Sequence, residues 1–132
     1  MDAHQLGIEQ LERSLAELRT MAAESAARLV VLYVPAMEEI YLPLLDGADP
    51  IWGGTPKAGV LEKFERVRAV IRDRVAPSEL LDLTVPLQTA ASKGEQLYWI
   101  HDPHWNRRGN AAVAEIVARY LAEAGAPQAV AR

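Results

Sequence analysis

Residues Arg28-Leu-Val-Val-Leu-Tyr-Val34 form a continuous apolar run, rich in β-branched side chains, that stops at Pro35. The run is shorter than a typical helix and does not alternate. It therefore reads as a strand buried on two faces, as strands of a parallel sheet are. Proline has no N–H to give to a ladder, so the strand is expected to end there. Helical patterns lie on both sides. From Ile8 to Ala27, Leu11, Leu15, Leu18 and Ala22 recur at steps of four and three and draw one apolar stripe. From Val60 to Arg74, Leu61, Phe64, Val67 and Ile71 do the same.

The alternation continues. Met37–Tyr41 suits a single helical turn, and Leu80–Leu83 is a second strand candidate. Leu87–Ala91 reads as a short helix ended by Gly94, and Leu97–Ile100 as an edge strand. Gly109–Ala124 is a helix carrying Val113, Ile116, Val117, Tyr120 and Leu121, with Gly125 placed as a C′ residue. Residues 43–56 collect turn formers and read as a loop in which Ile51 and Trp52 are the large apolar members. Helices alternating with short strands predict an α/β fold: a small, mainly parallel sheet of two to three strands with flanking helices. With so few elements to cover it, one edge or face of that sheet is expected to stay exposed.

The charge pattern narrows the function. Fourteen Lys and Arg stand against eighteen Asp and Glu, a net charge of −4. Interspersed signs with an acidic balance exclude the basic face that nucleic acid needs. No stretch approaches the roughly 18 apolar residues of a membrane span. The N-terminal stretch is acidic and amphipathic, unlike a signal peptide, so as written the chain is expected to stay in the cytosol unless a leader has been removed. The absence of cysteine removes disulfides, a thiol nucleophile and thiolate metal sites.

Chemistry concentrates at His101-Asp-Pro-His-Trp-Asn106. A carboxylate two residues before a histidine, across a proline, can reach back to the imidazole Nδ1–H. That bond fixes the tautomer, steadies the imidazolium and leaves Nε2 as a general base. Pro103 confines Asp102 to extended backbone. If Leu97–Ile100 is a strand, the cluster stands at its carboxyl end, where open α/β sheets bind ligands. Three plainer readings stay open. Asp-Pro opens turns, Asn106 suits a helix N-cap, and the histidines suit a solvated loop. A metal site at His101, Asp102 and His104 lacks a second ligand cluster. Trp105 either lines a substrate site beside His104 or anchors the helix start. Tyr33 and Tyr41 suit core packing with an exposed hydroxyl, and Trp52 suits a loop anchor. Arg107 and Arg108, at a helix start, suit solvation or an anionic group.

The stretch Leu97-Tyr-Trp-Ile-His-Asp-Pro-His-Trp-Asn-Arg-Arg-Gly109, with the helix after it, closely resembles the last block of SGNH/GDSL-type hydrolases. The nearest branch carries Asp-x-His-Trp and includes bacterial polysaccharide O-acetyltransferase and esterase-like proteins. Leu29–Tyr41 and Leu81-Asp-Leu-Thr84 are similar to upstream strands of that family, so the resemblance spans about residues 8 to 124. It implies a flavodoxin-like α/β domain. It also implies an acyl or acetyl ester substrate, carbohydrate-linked in some relatives, and no cofactor. His104 is implied as the base, Asp102 as its orienter and Gly109 as a helix-packing position.

The family's nucleophile is a serine in a Gly-Asp-Ser context. None of Ser14, Ser25, Ser78 and Ser92 has that context, and neither Asn106 nor Asn110 matches the family's oxyanion asparagine. Residues 1–132 are therefore expected to be one partial domain, its C-terminal portion, with the serine block before Met1. Some acetyltransferase relatives place the serine after the Asp-x-His block instead. A contrasting expectation is a non-catalytic α/β module that pairs with itself or a partner chain through an exposed sheet edge.

Overall fold

A computed structural model describes residues 3–46 and 51–125. The chain divides into two units, residues 1–33 with 45–82 and residues 34–44 with 83–132.

The first unit holds helix α1 (Ala3–Glu24), strand β1 (Val31–Tyr33), a hairpin of β2 (Ile51–Trp52) and β3 (Thr55–Pro56), helix α3 (Lys57–Arg74) and strand β4 (Leu80–Asp82). β1 and β4 run parallel, with Val31 opposite Leu80 and Tyr33 opposite Asp82. Their inner side packs on Leu15 and Ile71, which the predicted helix stripes supply, and on Val75, just past the end of α3. Each such side chain contributes roughly 1.5–3 kcal/mol by leaving water. The α1 stripe is only partly covered, since Leu18 stays exposed. Arg74 pairs with Glu12 and Arg19 with Glu79, and both pairs lie at the surface. Along α3, Glu65 bonds both Arg68 and Arg72.

Three expectations for this unit change. β1 is three residues long, and Leu32 at its centre is 39% exposed, so the strand is not buried on both faces. Residues 51–56 form a hairpin rather than loop. Gly53 and Gly54 both have positive φ (55° and 82°), the backbone that a tight two-residue turn demands. The turn formers that signalled a loop are thus hairpin chemistry. Third, α3 starts one turn before Val60, from Pro56, whose φ of −58° already suits a helix entry. The side chain of Trp52 and residues 47–50 lie outside the described residues.

The second unit holds helix α2 (Met37–Tyr41), a 3-10 turn at Leu42–Leu44, helix α4 (Thr84–Ser92), strands β5 (Tyr98–Trp99) and β6 (Asp102–Trp105), and helix α5 (Arg107–Gly125). Ile40, Leu83, Leu87 and Leu97 are fully buried in it. Glu39, itself buried, accepts the Ala36 N–H at 2.8 Å, and its backbone carbonyl accepts Gln88 Nε2 at 2.8 Å. α4 begins before Leu87 and takes Pro86 into its first turn, where the missing N–H has no helical partner to lose. Gly94, with φ of 89°, follows its end. Gly125 is the last described helical residue rather than a residue past the helix.

The main correction concerns residues 98–105. β5 does not join the parallel sheet, which has two strands among the described residues. β5 instead pairs antiparallel with β6, and residues 102–105, expected as loop, are that second strand. The polar cluster therefore sits on a hairpin, not at the carboxyl end of a parallel strand.

Candidate active site

The hairpin turns at Ile100–His101. Trp99 opposes Asp102, but Tyr98 opposes Trp105, so Pro103 and His104 are two extra residues on β6. This is a bulge, the device by which a sheet re-aims a side chain. Within it the Asp102 carboxylate folds onto its neighbour: Oδ1 accepts the His104 backbone N–H at 2.8 Å and lies 2.5 Å from His104 Nδ1. Asp102 and His104 are thus brought together.

Both groups face solvent, with side chains 53% and 82% exposed. The Asp102 carboxyl is held below its ordinary 3.8, first by the His104 backbone N–H and then by the His104 ring. The carboxylate accordingly stays ionised wherever the ring is asked to take a proton. With Nδ1 committed to Asp102, Nε2 is the nitrogen left to accept one.

The face behind the hairpin is buried. Tyr98 is buried and donates its hydroxyl to Pro35 O at 2.8 Å. The Tyr41 hydroxyl accepts Leu97 N–H at 2.8 Å, so it is engaged by the backbone, and its ring meets Tyr98 edge-on, 6.0 Å between centroids. Burial raises the Tyr98 phenol above its ordinary 10.0, with the nearby Trp105 indole pulling the other way. Trp105 is half-buried, and its Nε1 meets no acceptor in hydrogen-bond geometry. Its Cβ lies close to Gly109 in the first turn of α5. Tyr33 belongs to the other unit, with the Arg68 guanidinium 6.0 Å from its ring centre.

Asn106 joins the hairpin to α5. Its Oδ1 accepts the N–H groups of Arg108 (2.8 Å) and Gly109 (3.0 Å), an N-cap, while Nδ2 donates to Gln96 O (2.7 Å) and Tyr98 O (3.2 Å). Gly109 is required here for space, since a Cβ would run into the Leu97 carbonyl and come within 3.1 Å of Trp105 Cβ. A cavity of about 310 Å³ opens beside the hairpin, lined by Gln96, Trp99, Asn106, Arg107 and Arg108. His101 stands exposed in the turn. Among the described residues no group of three His, Asp or Glu side chains is set to hold a metal ion, so the His101/Asp102/His104 metal alternative has no geometric support. Ser92, the one serine in this unit's sequence, turns its hydroxyl back onto Thr89 O at 2.9 Å.

A family described as "SGNH hydrolase-like domain, acetyltransferase AlgX" matches residues 2–132. The chain belongs to this family. No curated protein and no solved structure matches the chain. Membership in the AlgX-type SGNH family agrees with the α/β fold and its small parallel sheet. No described helix is long and apolar enough to cross a membrane. The Asp102–His104 contact and the cap at Asn106 are both features the sequence suggested. Sequence reading missed the Asn106 bonds to β5, for which an Asn at a strand–helix junction gives no separate signal. It also missed the pocket residues Gln96 and Trp99, which come together only once the hairpin folds.

Proposed function

We propose that this chain carries the base and its orienter of an AlgX-type acyl-transfer site, acting on an acyl or acetyl ester with a carbohydrate hydroxyl, or water, as acceptor. The Asp102–His104 pair, closed at 2.5 Å with the imidazole exposed, carries the reading. In the complete site a serine hydroxyl attacks the ester carbonyl and passes its proton to His104 Nε2. The tetrahedral adduct collapses as Nε2–H protonates the leaving alkoxide. Nε2 then deprotonates the acceptor hydroxyl, which attacks the acyl-serine, and the proton returns to serine as the product leaves, an ester from a carbohydrate hydroxyl or a carboxylic acid from water. Asp102 holds the ring and offsets its charge during both steps.

The serine comes from outside this stretch, because no serine here has the family context and Ser92 is turned away. A segment before this stretch, a segment after the Asp-x-His block or a partner chain would each serve the same chemistry. Trp99 (56% exposed) and Ile100 (72% exposed) leave apolar surface at the hairpin tip, beside Asp102, for that segment or for substrate to cover. The neighbouring cavity, with Trp99 and two arginines, offers room for the acceptor.

An ester-hydrolysis assay tests this. The chain alone is expected to show no serine-dependent turnover. Joined to a serine-bearing partner segment it should gain turnover that His104→Ala abolishes. Turnover by the joined protein that survives His104→Ala would overturn the assignment of the base.

A further inference from the structure

The hairpin mixes two registers, and something must hold the mixture. At its tip, Trp99 opposes Asp102; at its base, Tyr98 opposes Trp105. A regular ladder continued from the tip would instead pair Tyr98 with Pro103 and Leu97 with His104. That alternative differs by two residues at the base. Because side chains alternate with a period of two, such a slip sends none of them to the other face, and the apolar pattern alone does not forbid it. In the slipped ladder the His104 N–H would be spent on Leu97 O. In the structure Leu97 O takes the Asn106 N–H instead, at 2.9 Å, and the His104 N–H goes to Asp102 Oδ1. The bulge and the backbone half of the Asp102–His104 pair are therefore one arrangement: the His104 N–H reaches Asp102 Oδ1 only while residues 103 and 104 stay out of the ladder.

We propose that Asn106 is a positioning residue for His104, locking the hairpin base in the register that keeps Pro103 and His104 bulged. Among the described residues it is the one side chain at the base that bonds both sides of the junction. Nδ2 holds Gln96 O and Tyr98 O on the β5 side, and Oδ1 holds the first turn of α5. Its backbone N–H occupies the carbonyl that a slipped strand would need. Gly109, packed against that same carbonyl, lets the helix start sit close enough for these bonds.

This rests on the reading of Asp102 and His104 above, but its test reads register rather than turnover, so either can fail alone. NMR of the whole chain compares wild type with Asn106→Ser, which keeps a helix-cap oxygen and loses both strand bonds. Asn106→Asp is the second variant: it keeps the cap and sets a carboxylate against two carbonyl oxygens. In wild type, Tyr98 and Trp105 form a close non-hydrogen-bonded pair and should give a strong Hα–Hα contact. In both variants that contact is expected to weaken in favour of Tyr98–Pro103. The Asp102 carboxyl titration should rise toward its ordinary value, while the α5 amides stay helical. Retained Tyr98–Trp105 contacts with an unchanged Asp102 titration would reduce Asn106 to a helix cap and overturn the proposal. Should both variants unfold, amide exchange in wild type decides. Protection of the Asn106 N–H matching that of the hairpin supports the lock, and free exchange of it beside an intact Asp102–His104 pair refutes it.

Discussion

Replacing Tyr98 by Phe removes one oxygen and little else. The ring is buried and keeps its edge contact with Tyr41, so the packing loss is small. What goes is the 2.8 Å bond to Pro35 O, and Pro35 is fully buried, so its carbonyl does not regain water. An orphaned buried acceptor costs about 1–3 kcal/mol. In a chain of this length that is a fall in Tm on the order of 3–12 °C. Urea unfolding of both proteins measures it: the midpoint should drop with the slope unchanged, since the buried surface is unchanged. The same bond has a pH consequence. The folded phenol titrates above 10.0 because burial disfavours the phenolate. Its contribution is therefore fully present below 10.0 and is lost as pH rises through the raised value. Tyr98→Phe should flatten that alkaline loss. A loss below about 0.5 kcal/mol would mean that the carbonyl finds another partner, and the anchoring role given to Tyr98 would fall.

Further outcomes can be checked in the same protein. Gly109→Ala forces a methyl into the Leu97 carbonyl and should cost about 1–3 kcal/mol of stability, read by thermal melting. In the serine-completed protein, Asp102→Asn should lower kcat on the order of 10⁴-fold with the fold intact by circular dichroism, because the ring loses its fixed tautomer. The Asp102 carboxyl, followed by ¹³C NMR, should titrate below 3.8 in wild type and move up in His104→Ala. The sign follows from the depressed value: whatever its ionised form contributes is present above the ordinary carboxylate range and is lost as pH falls through the lowered one. Sedimentation of the chain alone tests the sheet-edge reading. Exposed Leu32 predicts concentration-dependent association that Leu32→Lys suppresses, and a monomer at all concentrations would count against it.

Local features were legible in the residues, and relational ones were not. The α1 and α3 stripes, the β1 and β4 runs and the five-residue α2 all depend on contacts a few positions apart, which periodicity reports. Pairing partners are a different matter. Residues 97–100 are apolar enough for a sheet strand, yet β5 pairs with the polar segment after it, because Ile100–His101 can close a turn and Tyr98 has a buried carbonyl to reach. Nothing in four apolar letters distinguishes these outcomes. Residues 51–56 fail for the opposite reason: two-residue strands carry no pattern, and the glycines that build their turn look like loop composition.

The site divides along the same line. Asp102 and His104 were readable because their bond spans two residues and Pro103 narrows the backbone between them. What that spacing cannot say is whether the His104 N–H is free to bond the carboxylate, since a regular ladder continued from the Trp99–Asp102 pair would claim it. The answer lies at Leu97, seven positions away, whose carbonyl is already taken by Asn106. A short motif of this kind therefore needs a register to become a site. The residues that set the register, Asn106 and Gly109, were legible as a helix cap and a packing glycine, but nothing in their own letters tied either of them to His104.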